Sequence, residues 1–176
     1  AIPASVTSIG NDAFNLCTSL ASVTFAAGSG LLTIGSRAFR ESVLPSIIIP
    51  ASVTDIGEHA FRSCASLASV SFAAGSVLDT IGSRAFQQTV ITSIAIPASV
   101  TSIGDYAFMY ASNLSTVTIA ENSQLATIGA QVFQSSGLIR MAILTPSVLD
   151  VFGVDEGTDQ TVNNRSDVTI YTSLPL

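Results

Sequence analysis

Few side chains in this chain could do chemistry. It holds one histidine, His59, two cysteines, Cys17 and Cys64, and an acidic run containing Asp155, Glu156 and Asp159. A histidine works as a general base only beside a positioned partner. No second histidine exists to activate a serine or cysteine nucleophile. His59 stands two residues before a phenylalanine, in a row shared with Asp12, Arg37, Arg84, Tyr106 and Gln131. So varied a row reads as solvated surface. Cys17 and Cys64 each follow a phenylalanine by three residues, a slot filled elsewhere by Ser42, Thr89, Ala111 and Ser136. That slot selects for small size, and a free cysteine fits it as a small hydrophobe. Two sulfurs without histidine make a thin zinc site. The acidic run lacks the spacing of an EF-hand calcium loop. Asn113-Leu-Ser and Asn164-Arg-Ser match the glycosylation acceptor pattern, which matters only in a eukaryotic secretory pathway. The expectation is a chain without catalytic residues, metal ligands or cofactor, and therefore not an enzyme.

These residues sit in a repeat. Ile-Gly recurs at Ile9, Ile34, Ile56, Ile81, Ile103 and Ile128, at intervals of 25, 22, 25, 22 and 25 residues. Five residues after each isoleucine comes Phe14, Phe39, Phe61, Phe86, Phe108 or Phe133, so six of the nine phenylalanines share one position. The alternation makes a 47-residue double unit, marked by Ile-Pro-Ala-Ser-Val-Thr beginning at Ile2, Ile49 and Ile96. Self-similarity on this scale is the signature of a solenoid.

Two periods alternate within each unit. Ile9, Ala13, Phe14 and Cys17 fall on one face of a short helical turn. Four of the six residues after the Ile-Gly glycine (Asn11, Ser36, Ser83 and Asp105) are good N-caps for such a turn. The period then drops to two. Val23/Phe25, Ile47/Ile49, Val70/Phe72, Ile94/Ile96, Val117/Ile119 and Met141/Ile143 alternate with small or polar residues, as half-buried strands do. Neither piece can bury its apolar face alone. Stacked, the strands form a parallel ladder with the phenylalanines in a column behind it. Pro3, Pro50 and Pro97 follow their strands, where a residue without an N–H belongs. Ala26–Ser29 and Ala73–Ser76 carry the longer loop of the alternate units. The expected architecture is a right-handed solenoid, with a strand ladder on one face and short helical turns on the other. Residues 1–143 form six repeats. Residues 144–176 form a degenerate capping repeat in which a polar loop, Asp155–Asp167, leads to a last strand at Val168–Tyr171.

Composition narrows the partners. Hydrophobic residues make up 48% of the 176 and charged residues only 10%, an ordered and heavily buried mixture. All six basic residues are arginine, and the net charge of -6 argues against nucleic acid or anionic membrane, which attract clustered positive charge. No apolar run reaches the 18 residues of a membrane span, so a soluble segment is expected. The chain opens mid-pattern at Ala1-Ile2-Pro3 without an initiator methionine, which reads as a processed product or a piece of something longer.

The string Ile2 to Phe25, IPASVTSIGNDAFNLCTSLASVTF, closely resembles the BspA-type leucine-rich repeat. The resemblance runs in six copies over about residues 2–143, and more loosely to Tyr171. It implies a cell-surface or secreted, extracellular protein of bacteria or protists, several relatives of which bind host matrix or other cells. It carries over no catalytic residue. Cysteine is kept in only two of the six repeats, and arginine stands where lysine is common.

Two surfaces are candidates for a partner. The strand face should present Ser22, Thr24, Ser46, Ile48, Ser69, Ser71, Ser93, Ala95, Thr116, Thr118, Arg140 and Ala142. It is small in relief and poor in the aromatic and arginine anchors that dominate binding energy. The turn side offers Tyr106, Met109 and Tyr110, with Arg84 and His59 beside them, or else those aromatics simply pack over a neighbouring turn. Protein recognition or adhesion is the leading function. A passive spacer or scaffold array is the alternative, and an ice- or lattice-binding face, suggested by Ser69-x-Ser71 and Thr116-x-Thr118, a remote one. Cys17 and Cys64 should not pair. Two rungs of ~4.8 Å put equivalent Cα atoms roughly 9–10 Å apart, beyond the ~7 Å limit of a disulfide.

Overall fold

The computed structural model describes residues 1–138, 140–143 and 151, and the strands Asp159–Gln160 and Val168–Tyr171. Each repeat makes one coil; the described coils after the first carry two short strands, whereas in the first the segment expected as a strand at Val23 and Phe25 keeps only a single bridge, Phe25 to Ile2. A two-residue strand ends on the isoleucine of every Ile-Gly pair: β1 (Ser8–Ile9), β2 (Thr33–Ile34), β4 (Asp55–Ile56), β6 (Thr80–Ile81), β8 (Ser102–Ile103) and β10 (Thr127–Ile128). These six form one parallel sheet in chain order, isoleucine opposite isoleucine.

The four-residue strands are β3 (Ser46–Ile49), β5 (Ser69–Phe72), β7 (Ser93–Ile96), β9 (Thr116–Ile119) and β11 (Arg140–Ile143). Their alternation is realised, with Ile47 and Ile49 buried between exposed Ser46 and Ile48. The last strand, β13 (Val168–Tyr171), pairs in parallel with β11 and takes β12 (Asp159–Gln160) on its other edge.

Behind the strands the phenylalanines stack. Neighbouring ring centroids from Phe14 to Phe133 lie 5.1, 5.2, 5.2, 5.4 and 5.6 Å apart, with interplanar angles of 10° or less. Phe39 through Phe133 are fully buried, while Phe14 is only partly covered. Leu31, Val53, Leu78, Val100 and Leu125 make a second buried column and Leu44, Leu67, Ile91, Leu114 and Leu138 a third. Each residue thus stacks on its own equivalents, which is how a repeat supplies its neighbour's wall.

The segment expected as a helical turn is not helical. It is a run of linked β-turns in which the residues two before and two after each phenylalanine have positive φ. Asp12, Arg37, His59, Arg84, Tyr106 and Gln131 lie at φ 52–59°, and Leu16, Glu41, Ser63, Gln88, Tyr110 and Ser135 at 54–59°. A left-handed residue breaks a right-handed run, and for a non-glycine it costs roughly 1–2 kcal/mol. The reason is hydrogen bonding. Alternate N–H groups point inward along the turn, as Asn15 N–H does to the Asp12 carbonyl. The others point sideways to the next repeat: Asp12 to Ser36, Phe14 to Ala38 and Leu16 to Arg40, at 2.7–2.9 Å. A helix would keep every bond internal and leave the repeats unjoined on this side.

The N-cap residues act across repeats for the same reason. Asn11 Oδ1 accepts the N–H of Ser36 at 2.8 Å, and Asp105 Oδ1 that of Ala130 at 2.7 Å. Each caps the following coil, not its own.

Candidate functional site

The turn rows make an edge of side chains stacked one per coil. Within the row two before phenylalanine Arg37 pairs with Asp12 at 3.9 Å, and Arg84 of that row reaches Glu58, the neighbour of His59, at 3.9 Å. The Arg84 guanidinium also lies over the Tyr106 ring, 4.7 Å from its centroid. Gln87 Nε2 points at Met109 Sδ, 3.5 Å away. Of the five expected partner residues, His59, Arg84, Tyr106 and Met109 are therefore half-buried, packed against neighbouring coils. Tyr110 stands free, 48% exposed, the one tyrosine on this edge that has kept its face for solvent.

His59 departs from the solvated reading. Only 11% of its side chain is exposed, and Nδ1 lies 3.3 Å from Glu58 Oε1. Burial pushes its pKa below the ordinary 6.5; Glu58 opposes the shift, and Arg62, Arg84 and Arg37 add to it. The imidazole is neutral at pH 7 and faces an arginine row. Because the folded pKa lies below the unfolded one, the unfolded chain binds more protons in the interval between them. Stability contributed here is complete above pH 6.5 and lost as pH falls through 6.5 to the depressed value. Urea midpoints at pH 7.5 and 5.5 should fall less for His59→Gln than for the parent. An equal fall would place the acid sensitivity elsewhere.

Cys64 is buried, and Cys17 partly so. The Cys64 thiol donates to the Phe39 carbonyl at 2.9 Å and lies 3.4 Å from Ser42 Oγ, the same slot one coil earlier. Burial raises its pKa, opposed by the contacts to Ser42. Thr89 and Ser136 donate from the same slot within their own coil, to the Phe86 carbonyl at 2.9 Å and the Phe133 carbonyl at 2.7 Å. The slot takes a small side chain, with a donor in some coils and the buried Ala111 in another. Among the described residues no cluster of three histidine, cysteine or acidic side chains could hold a metal ion. Asp155, Glu156 and the Asn164 sequon lie outside the described residues.

On the strand face Ser22, Thr24, Ser46, Ile48, Ser69, Ser71, Ser93, Ala95 and Arg140 are exposed, while Thr116 and Thr118 are half-buried. Ala142, expected there, is 5% exposed. Ile48 and Ala95 interrupt the hydroxyl rows.

Two clefts on this side were not anticipated from the sequence. The first, of about 760 Å³, lies between residues 21–29 and β3, lined by Phe25, Pro45, Ile48 and Pro50 among others. The second, of about 680 Å³, repeats it between β5 and β7 with Phe72, Ala95 and Pro97. Both sit where the four-residue ladder is interrupted: β3 pairs with β5 and β7 with β9, but β5 does not pair with β7. The prolines at 47-residue spacing are the signal that could have found them.

Such coils, with a fixed isoleucine–glycine rung and a phenylalanine column, are matched by the BspA type leucine rich repeat region, in six copies over residues 1–77 and 32–152. The chain belongs to this family. As a BspA-type repeat it is similar in fold to the T. pallidum leucine rich repeat protein TpLRR, at 22% identity and a TM-score of 0.62. That match covers 96% of this chain and 71% of the other. It is also similar to a leucine rich cell surface protein from Faecalibacterium prausnitzii, 25% identical with a TM-score of 0.52, covering 82% of this chain and 55% of that one. A leucine-rich repeat protein from Bacteroides ovatus is 26% identical over 81% of this chain, with a TM-score of 0.40; the chain spans 48% of its length. Comparison with curated protein sequences gives no match. Among the described residues no helix is long and apolar enough to cross a membrane.

Proposed function

We propose that this BspA-type chain is a non-enzymatic recognition module of a cell-surface or secreted protein, holding a protein partner by its turn edge. The observation that carries the reading is Tyr110, exposed next to Met109 on the turn that also holds Tyr106 of the Arg84–Tyr106 stack. An aromatic with few torsions and a packed surround is the form an interface anchor takes. Membership of a repeat family and likeness to the F. prausnitzii cell surface protein support the location. A serine of the strand face exchanges water for partner with little net gain.

The test measures adhesion of the purified chain to cultured cells and to immobilised matrix proteins. Tyr110→Ala should weaken binding by about tenfold or more, the loss expected of an anchor worth at least about 1.4 kcal/mol, while Ser71→Ala stays near the parent. Parent-like binding by Tyr110→Ala together with weakened binding by Ser71→Ala would move the site to the strand side. A folded protein that binds nothing on either surface would instead favour a spacer, a role that the even 5.1–5.6 Å stacking of the coils would also suit.

A further inference from the structure

The clefts have a cause in the backbone. After β5 and β9, and after the single Ile2–Phe25 bridge, the next residue donates its N–H to the preceding coil: Ala26 to Ile2 at 3.0 Å, Ala73 to Ile49 at 2.9 Å and Ala120 to Ile96 at 3.2 Å. One coil further on, the same position is Pro50 and then Pro97, which have no N–H to give to Phe25 or Phe72. In the next double unit Leu144 replaces the proline, and there β9 and β11 pair along all four residues. At the upper end of the first cleft stands Pro45, where its 47-residue equivalent Thr92 still donates to Ala68 at 3.3 Å. The first cleft therefore lacks a donor at both ends.

The opening is confined to the strand side. Behind it the Phe14–Phe39 rings remain 5.1 Å apart, β1 pairs with β2, and Ser52 Oγ lies 2.9 and 2.7 Å from the Ser29 and Leu31 carbonyls. What is left at the mouth is a pair of extended backbone edges, one of them β3 and the other the segment that ends at the single Ile2–Phe25 bridge. Ile2 bonds the Thr24 carbonyl and the Ala26 N–H, so the N–H and C=O of Val23 and Phe25 face the other way, toward the cleft. Pro45 and Ile49 bond toward β5, which turns the Ile48 peptide groups toward the cleft as well. Among the described residues no backbone hydrogen bond joins Val23 or Phe25 to Ser46–Ile49.

Free edges of this kind take up an added strand, the main chain giving affinity and alternate side chains specificity. The lining contains no ionisable side chain, so the entering segment is uncharged. Phe25, Pro45 and Ile48 offer it apolar contact, with Ile48 itself 64% exposed on the lip. The volume lies within the range of ordinary ligand sites. We propose that the cleft between Val23–Phe25 and β3 binds an extended, uncharged peptide segment by strand addition to these edges, with the cleft between β5 and β7 as a weaker second copy. The site is separate from the turn edge and independent of the role proposed for Tyr110.

A suitable probe is the capped peptide Ser-Thr-Val-Thr-Ile-Ala, the sequence of residues 115–120, whose strand β9 pairs on both of its edges in the fold. In the full chain, titration should move the amide signals of Val23, Phe25 and Ile48 first, and those of Val70, Phe72 and Ala95 at higher concentration. The same peptide N-methylated at alternate residues should lose at least tenfold in affinity. Pro50→Ala, which restores the missing donor, should weaken binding at the first cleft and leave the second unchanged. Tyr110→Ala should have no effect. Absence of any shift, equal binding of the methylated peptide, or shifts confined to the turn edge would each overturn the proposal. The methylation arm uses the unaltered chain, so it holds even if Pro50→Ala fails to fold.

Discussion

Phe61→Ala is expected to be among the most damaging single substitutions in the chain. Phe61 is fully buried, and its ring lies 5.2 Å from both Phe39 and Phe86, at interplanar angles of 6° and 1°. Removing it loses the apolar transfer term and leaves a cavity bounded by two rings whose own coils are fixed by lateral hydrogen bonds. Large aromatic truncations in packed cores cost about 3–5 kcal/mol, and each stacked pair adds about 0.5–1.5 kcal/mol beyond area. In a domain of this length 3–5 kcal/mol lowers the melting temperature by roughly 6–20 °C. Phe14 stacks on one neighbour only and is partly exposed, so Phe14→Ala should cost distinctly less. Thermal unfolding of the two variants side by side checks this. Equal losses would mean that the rings are local fillers, not a continuous column.

The second large effect concerns backbone, not side chain. At Gly82 an added Cβ would stand 2.7 Å from Gly57 C and 2.8 Å from both Glu58 N and Ile56 O. Those are main-chain atoms of the previous coil, and Gly82 N–H bonds the same Ile56 carbonyl at 2.8 Å. Neither side can yield without parting the rung between Ile56 and Ile81. Gly82→Ala should therefore cost at least the ~1–3 kcal/mol of an overpacked core. Gly10 occupies the same place in the first coil with nothing within 4 Å of the added carbon. There alanine should be neutral, or stabilise by up to about 1 kcal/mol through the unfolded chain. Matching melting temperatures for the two variants would show that coil-to-coil approach does not dictate this glycine.

The contrast shows how far periodicity reaches. Spacing placed Ile-Gly in every unit, but the period by itself assigns the isoleucine to a helical face and leaves the glycine unexplained. Ile9 is in fact a strand residue, and the glycine is required because the next coil's main chain passes against it. Likewise nothing local in Arg37, Arg84 or Tyr106 favours a left-handed backbone. The conformation is repaid only by N–H groups that find carbonyls 21 or 24 residues away, so no single window of sequence could reveal it.

For the candidate site the division is similar. The residue types on the turn edge were legible, because a variable row between invariant phenylalanine positions must face outward. Which of them remains accessible was not. Tyr106 and Tyr110 are four residues apart on the same turn, yet one lies under Arg84 and the other is open, a difference set by what the adjacent coil contributes.

By itself the sequence determined the repeat length, the phenylalanine column, the alternating burial of the strands and the family, since all of these follow from which apolar residues recur and how often. Only the tertiary structure decided the turn conformation, the role of the caps, the partial burial of His59 and the breaks in the strand ladder. The physical reason is the same for each. These features depend on hydrogen bonds and close approaches between equivalent positions of successive coils, and such pairings do not exist until the coils are stacked.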